Sequence, residues 1–209
     1  MFKNIPLFPL NLVVFPGEHL NLHIFEPRYK QLVNDCLREK STFGVPSYVL
    51  TKVEYGTEVK ILEVSKVYDD GRMDIKTEGI AVFNVRDFQN PWNGKEYSGG
   101  KVDMLQVKND LDSKFHLELV ELCSHLFEWL QMTDELEVTV ETSMYEIIHK
   151  IGLKPEEEYL LLKMKSERQR QCYIIEHLKN LLPALERAEK AKEKIRMNGH
   201  FKHIDPLKF

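Results

Sequence analysis

The spacing of hydrophobic and polar positions changes near residue 111. Before it, β-branched and aromatic residues occur in short runs broken by Gly and Pro, which is typical of strands and turns. After it, apolar residues recur every three to four positions, the spacing of amphipathic helices. We therefore expect an α+β fold with two lobes, a strand-rich one over residues 1–110 and a helical one over residues 111–209 that ends in a charged helix and tail.

A strand and a helix are predicted early in the first lobe. Leu20, Leu22 and Ile24 alternate with polar residues, as in a half-buried strand. Pro27 suits the first position of a helix, which we expect to end near Glu39. The helix carries one apolar stripe, formed by Tyr29, Leu32, Val33, Cys36 and Leu37. Its other face is expected to meet water and carries Lys30, Asn34, Asp35, Arg38 and Glu39.

Further strands are predicted over 42–51, 57–68 and 72–87, with a last one around 102–104. The Asp70-Gly71 pair joins two β-rich runs and indicates a tight hairpin, because glycine accepts positive φ. The apolar phase slips within the preceding strand, which indicates a bulge near Ile61. Strands in series with few helices between them favour an antiparallel sheet that closes into a barrel.

Capping residues mark the helices of the second lobe. Asp112 is a good N-cap for a helix that buries one apolar face. The residues expected on that face are Phe115, Leu119, Leu122, Leu126 and Leu130. Ser143 and Glu146 form a capping box, and Pro155 opens the next helix. A long helix is expected from about 166 to 197, kinked or split at Pro183.

Charge and composition exclude several classes of protein. The net charge of -4 argues against a nucleic-acid partner, because such proteins present a basic surface. No run of residues is long and apolar enough for a membrane helix, so we expect no membrane partner. The three cysteines are far apart and form neither a CxxC motif nor a disulfide framework, which indicates a reducing cytoplasm.

A search for reactive groups gives no catalytic, cofactor-binding or metal-binding residue. Residues 94–102, GKEYSGGKV, resemble a phosphate-binding loop, but the glycine spacing is one residue too long and Val102 replaces the required hydroxyl. The double glycine, 99–100, instead indicates a bulge or bend. His19 and His23 would lie about 13 Å apart on a strand, too far for one metal ion.

The remaining candidates for chemistry have structural interpretations. His200, His203 and Asp205 have the character of ordinary polar tail residues. The cysteines Cys36, Cys123 and Cys172 fall in helical patterns typical of small core residues. We therefore expect no cofactor.

One loop carries the candidate binding residues. Phe88, Trp92 and Tyr97 lie among turn-forming residues in the segment 88–98. Loops lie at the surface and exposed aromatic side chains anchor protein interfaces, so these three residues are predicted to bind a partner. The alternative is that their rings cover the end of the barrel or pack on the helical lobe.

The first half resembles the N-terminal, substrate-binding domain of Lon proteases, over residues 4–110. The segments that carry the resemblance are IPLFPLNLVVFPGEHLNLHIFEPRY, FGVP and YGTEVKILEVSKVYDDGRMDIKTEGIAVFNV. LHIFEPRY is most similar to the stand-alone bacterial branch of the family and to cereblon-type proteins. The resemblance implies a PUA-like pseudo-barrel followed by a helical bundle. Lon proteases also carry ATPase and Ser–Lys protease domains, and the sequence has neither.

Three functions are compatible with this resemblance. The first is a non-catalytic module that binds polypeptide segments or a partner protein. The second is an enzyme. It would be either a hydrolase whose carboxylates the sequence does not single out, or an accessory or substrate-recruiting subunit of an ATP-dependent protease, a hydrolase by association. The third is RNA binding by analogy with other PUA-like domains, against which the negative charge argues. The sequence leaves the identity of the partner and the oligomeric state open.

Overall fold

The structure, a computed structural model, describes residues 1–132, 139 and 142–199, with the backbone alone for residues 197–199. The chain folds into two compact units. The first comprises Met1–Asp110 and Thr142–Arg170, and the second comprises Leu111–Glu141 and Gln171–Phe209. The segment 142–170, which we predicted to lie in the helical lobe, therefore groups with the strands.

Aromatic contacts explain this grouping of the segment 142–170. Tyr145 stacks on Phe15 with a centroid distance of 5.2 Å, and Tyr159 meets Tyr55 edge to face at 6.3 Å. Both contacts join helical residues to the strand-rich part of the same unit. The sequence pattern alone shows only that 142–170 is helical, not which core it covers.

The described residues form six strands and five helices. The strands are β1 (Phe2–Leu7), β2 (His19–Ile24), β3 (Phe43–Pro46), β4 (Tyr55–Val67), β5 (Met73–Gln89) and β6 (Ser98–Met104). The helices are α1 (Pro27–Glu39), α2 (Ser113–Trp129), α3 (Met144–Ile147), α4 (Pro155–Lys163) and α5 (Glu167–Gly199). A single 3-10 turn, Ile148–Lys150, continues α3.

Five of the strands close into a barrel. β1 pairs with β3 in parallel and with β6 antiparallel, while β3 pairs with β4, β4 with β5, and β5 with β6. The ring of pairings is therefore complete, which removes free sheet edges from this part of the unit. The predicted α+β fold with a β-barrel before the helices is confirmed.

The long strands β4 and β5 extend beyond the barrel. There the first half of β5 pairs with β2 on one side and with the second half of β4 on the other, giving an open three-stranded sheet. The predicted hairpin joins β4 to β5, with Gly71 at φ 76°. A register shift between Ile61 and Glu63 confirms the predicted bulge.

Helix α1 covers the core with the predicted stripe, with two corrections. Four of its five apolar residues are buried, but Leu37 is 42% exposed. Leu37 lies one position beyond Cys36, at the margin of the stripe, where the helix surface turns towards solvent. Asp35 was predicted to face water and is instead only 6% exposed.

The second unit is built on α2 and α5. Asp112 caps α2 as predicted, since its carboxylate accepts the backbone N–H groups of Lys114 and Phe115. The core of α2 contains Leu119 and Leu126 as predicted, whereas Leu130 is 39% exposed because it lies just past the end of the helix. α5 is one helix that passes through Pro183 without a break, so of the two predicted outcomes, a kink or a split, the split is wrong.

Candidate functional site

An open cavity of about 290 Å³ lies in the first unit beside α1 and the loop between β5 and β6. Its lining combines aromatic, charged and hydroxyl side chains, among them Asp35, Glu39, Thr42, Trp92, Lys95 and Tyr97. Ile5 and Pro6 of β1 contribute apolar surface. Parts of the chain up to about 90 residues apart therefore meet at one opening, and the barrel holds them in place.

Asp35 forms the charged base of this cavity. Its carboxylate accepts hydrogen bonds from Lys95 Nζ at 2.8 Å, Tyr97 Oη at 3.0 Å and Arg38 Nη2 at 2.5 Å. The hydrogen bond from Lys95 lowers the pKa of Asp35 and outweighs the opposing effect of burial. Asp35 is therefore an ionised structural link between α1 and the loop.

Tyr97 is the other half of this link. It is only 3% exposed. Burial raises the pKa of its hydroxyl, and the hydrogen bond to the Asp35 carboxylate raises it further. Tyr97 therefore keeps its proton and acts as a donor that fixes Asp35.

A second buried carboxylate lies beside Thr42, one of the residues that line the cavity. Glu58 of β4 is 4% exposed and accepts from Lys3 Nζ at 2.9 and 3.0 Å. Thr42, which lines the cavity, donates its hydroxyl to Glu58 at 2.6 Å. Both buried acids are thus bonded to cations and hydroxyls, an arrangement that fixes the walls of the cavity.

Trp92 forms the aromatic wall. Its ring lies directly over Gly99 of β6, so closely that a Cβ added to Gly99 would come within 2.2 Å of it. The ring is half-buried and packs against the core cluster around α1, with its centroid 6.3 Å from that of Tyr97. One part of the ring is supported by the barrel, and another part lines the cavity.

The loop that presents Trp92 is held at both ends. The Trp92 N–H donates to the Tyr97 carbonyl at 3.0 Å, and the Lys95 N–H donates to the Trp92 carbonyl at 2.9 Å. Asn93 and Gly94 make the turn between them, both with positive φ. The indole position is thus fixed by backbone bonds as well as by packing.

Residues 4–180 match the sequence profile described as the ATP-dependent protease La (LON) substrate-binding domain. The chain belongs to the LON substrate-binding domain family. The predicted resemblance is therefore confirmed and extends well past residue 110, into the segment 142–170 that groups with the barrel.

Solved LON domains share the fold of this chain. It is similar to the Lon N-terminal domain protein of Xanthomonas campestris, at 27% identity and a TM-score of 0.65, over 83% of this chain and 97% of that one. It is also similar to the N-terminal domain of Mycobacterium avium complex Lon protease, with 13% identity and a TM-score of 0.63. That alignment covers 86% of this chain and 100% of the other, and it shows the fold alone.

A curated relative of this LON domain is cereblon of Danio rerio. The two are 29% identical over 101 residues, which is 44% of this chain. The match spans only 23% of the length of cereblon.

The three predicted binding residues have different positions in the LON domain. Trp92 and Tyr97 line the same cavity, whereas Phe88 lies on β5, 38% exposed, and is not part of that lining. Tyr97 is buried and supports the site from within. Asp35 and Lys95 were not predicted, because their only signal in the sequence is an acid beside an apolar stripe and a base beside turn residues.

The double glycine of the LON domain has a different role from the predicted one. Gly99 and Gly100 pair with β1 in unbroken register, so they form no bulge. A Cβ on Gly100 would lie 1.9 Å from the Asp87 carbonyl oxygen. Both positions require glycine because neighbouring atoms approach the backbone too closely for a side chain.

The described residues contain no group of three His, Cys, Asp or Glu side chains that could hold a metal ion. His23, considered above as a possible metal ligand, forms a hydrogen bond with Asp74, with 2.5 Å between His23 Nδ1 and Asp74 Oδ1. The tail residues His200, His203 and Asp205 lie outside the described part of the chain. No helix among the described residues has the length and apolar character needed to cross a membrane.

The cysteines divide into two buried ones and one exposed one. Burial raises the pKa of Cys36 to about 11 and that of Cys123 to about 12, the opposite of the shift that activates a thiol. Cys172 is exposed, so its prediction as a core residue is wrong. It lies on the outer side of α5, two positions before the buried Ile174.

Proposed function

We propose that this LON domain is a non-catalytic recognition module that binds unfolded polypeptide segments, with the Trp92 cavity as its contact site. The observation that carries the proposal is the half-buried Trp92 ring, which walls an open cavity of about 290 Å³. A supported but accessible indole offers apolar contact at low entropic cost, as binding hot spots do. The family description as a substrate-binding domain agrees with this role.

The chemistry of the cavity favours binding over catalysis. Asp35 is held ionised by Lys95, and Tyr97 is held protonated. A general acid or base needs a pKa near the working pH, and a nucleophile needs an activating partner. The pKa values of Asp35 and Tyr97 are shifted away from the range that these roles need. The hydrogen bonds of both groups instead hold the cavity wall in place around a bound side chain.

Phe88 is a second contact in this proposal. Its ring is 38% exposed on β5, the strand that leads into the loop, and it does not line the cavity. Tyr97 contributes indirectly, by fixing Asp35 and the loop. Free cysteines are compatible with the reducing cytoplasm as the place of action.

A second candidate role is delivery of polypeptides to an ATP-dependent protease. It rests on the family description, which names such a protease. This role requires the same polypeptide binding and adds a contact with the protease.

The test uses a tryptophan-free unfolded polypeptide, reduced and carboxymethylated ribonuclease A, labelled for fluorescence anisotropy. The native form of the same protein is the negative control. We expect Trp92→Ala to weaken binding about tenfold or more, as loss of an aromatic hot spot does. Trp129→Ala, which alters the other tryptophan of the chain on α2, is the matched control and should bind like wild type.

Melting temperatures separate binding from stability in this test. Trp92→Ala removes core contacts, so binding is measured well below the melting transition of each variant. Unchanged affinity of folded Trp92→Ala would remove the cavity from the site. Failure of the wild-type protein to bind the unfolded polypeptide would contradict the function itself.

A further inference from the structure

Strand β2 lies at the open end of the sheet, and within the described part of the chain it pairs only with β5. The N–H of Gly79 on β5 donates to Glu18 O at 2.9 Å, on the β2 side. The carbonyl of Arg72, the residue before β5, accepts from Tyr68 N, on the β4 side. Backbone groups alternate along an antiparallel strand, so the odd-numbered residues of β5 face β2 and the even-numbered ones face β4.

The same alternation fixes the direction of every backbone group on β2. Leu20 pairs with Thr77 and Leu22 with Ile75, so these two residues bond to β5. The N–H and C=O groups of His19, Asn21 and His23 therefore point away from the sheet. No described residue forms a backbone hydrogen bond with them, and their side chains are exposed.

The two free edges of this open sheet differ in how they are protected. The free half of β4 has two register shifts, between Ile61 and Glu63 and between Val64 and Lys66, and it also carries Lys60. Bulges and lysines are the usual protection of an edge strand against pairing with another chain. β2 has neither, since its register is regular and it contains no Lys, Arg, Asp, Glu or Pro.

The sequence of β2 is also self-complementary. Residues 19–23 read His-Leu-Asn-Leu-His, the same in both directions about Asn21. We propose that β2 pairs antiparallel with β2 of a second copy of this chain across a two-fold axis at Asn21, so that the two open sheets become one continuous sheet of six strands.

This register satisfies every outward group on β2. Asn21 exchanges two hydrogen bonds with Asn21 of the second copy, and His19 exchanges two with His23 of the second copy. On the inner face, the partly buried Leu20 lies opposite Leu22 of the second copy, which extends the apolar layer that both join. A lysine or glutamate at position 21 would meet the same charge of the second copy across the axis, and Asn21 is uncharged.

The register also covers an exposed aromatic residue. Phe25 follows β2 and is 59% exposed. By the same numbering it lies opposite Gly17 of the second copy, a position at which an added Cβ would meet no atom within 4 Å. The Phe25 ring then packs over the backbone of Gly17, which has no side chain, and this adds apolar contact between the two strands. The interface is one short strand, so the dimer dissociates on dilution.

Sedimentation equilibrium tests the dimer. The wild-type mass should rise with concentration from 24.6 kDa towards twice that value. Asn21→Pro removes an outward N–H and none of the bonds to β5, as proline on an edge strand does. It breaks two bonds of the pairing, so the dissociation constant should rise about tenfold or more. Asn21→Ala keeps the N–H and should change it by no more than about twofold.

Residue-resolved amide exchange gives a second test that needs no variant. At concentrations where the dimer forms, the amides of residues 19, 21 and 23 should become protected, whereas in the monomer only those of 20, 22 and 24 are. Three results would overturn the proposal: a monomer at every concentration, outward amides already protected in the monomer, or outward amides protected only when an unfolded polypeptide is added. The second result would mean that other residues of the same chain cover the β2 edge. The third would mean that a bound polypeptide pairs with it.

Discussion

Strands β4 and β5 each have one half in the closed barrel and the other half in the open sheet, and different contacts stabilise the two halves. Over one half they belong to a closed barrel, where backbone atoms approach so closely that a Cβ on Gly56 would lie 2.4 Å from Pro46 Cα. Over the other half they lie in an open sheet whose surface is a ladder of ion pairs, such as Lys60 with Glu78 at 2.8 Å and Lys76 with Glu63 at 2.7 Å. Barrel closure depends on bare backbone, whereas the open sheet depends on exposed side chains and leaves its β2 edge unpaired.

This difference separates the roles of the two halves. The barrel as a whole supports the Trp92 cavity, through Gly99 of β6 and through Tyr97, so the cavity walls are held rigid. The open half carries the unprotected edge of β2. Substitutions in the barrel half should therefore cost much more stability than substitutions in the open half.

Gly100→Ala, on strand β6 of the barrel, should have the largest effect. Its Cβ would meet the Asp87 carbonyl oxygen at 1.9 Å, and both groups are backbone, so neither can rotate away. We expect a loss of about 3 kcal/mol or more in the free energy of unfolding, at the upper end for overpacking. Urea and thermal unfolding measure it; a loss below about 1 kcal/mol would show that the barrel adapts.

Gly71→Ala in the open half is the matched comparison. Gly71 has φ 76°, and an added Cβ would meet only Lys30 Nζ at 3.7 Å. The cost is therefore the backbone conformation alone, about 1 kcal/mol. Polypeptide binding by this variant should equal that of wild type. A larger loss than that of Gly100→Ala would reverse the ranking of the two halves.

The smallest effect concerns pH and the helical segment of the first unit. Hydrogen bonds to Glu18 and Glu158, at 3.2 and 2.8 Å, raise the pKa of His149 to about 9, against the effect of burial. Because the folded state binds this proton more tightly, the stabilisation is complete below the unfolded pKa near 6.5 and is lost as the pH rises through about 9.

His149→Gln should reduce the loss of stability between the unfolded pKa near 6.5 and pH 9. The measurement is the melting temperature of wild type and variant between pH 6 and pH 9.5, in the same buffer series. Wild type should lose stability relative to the variant as the pH rises. Parallel profiles would show that the Glu18–His149–Glu158 contacts do not stabilise the fold.

Local chemistry made part of this structure predictable from the sequence. The Asp70–Gly71 hairpin, the Asp112 cap and the Ser143–Glu146 capping box are each set by residues a few positions apart. The alternation of Leu20 and Leu22 likewise located β2.

Contacts distant in sequence were not predictable. The burial of Asp35 depends on Lys95 and Tyr97, some 60 residues away. The parallel pairing of β1 with β3 and the approach of the Trp92 ring to Gly99 likewise follow only from barrel closure. Loop composition indicated that the three aromatic residues lie in one surface segment, but it could not show that Tyr97 faces inward.

The central claim is that Trp92 contacts an unfolded polypeptide, and its own fluorescence reports this most directly. In a Trp129→Phe background Trp92 is the single tryptophan. Titration with reduced, carboxymethylated ribonuclease A should shift the Trp92 emission to shorter wavelength in a saturable manner, because the bound chain removes water from the indole. The native form of the probe should leave the emission unchanged. Saturable binding by anisotropy with no change in Trp92 emission would contradict the account.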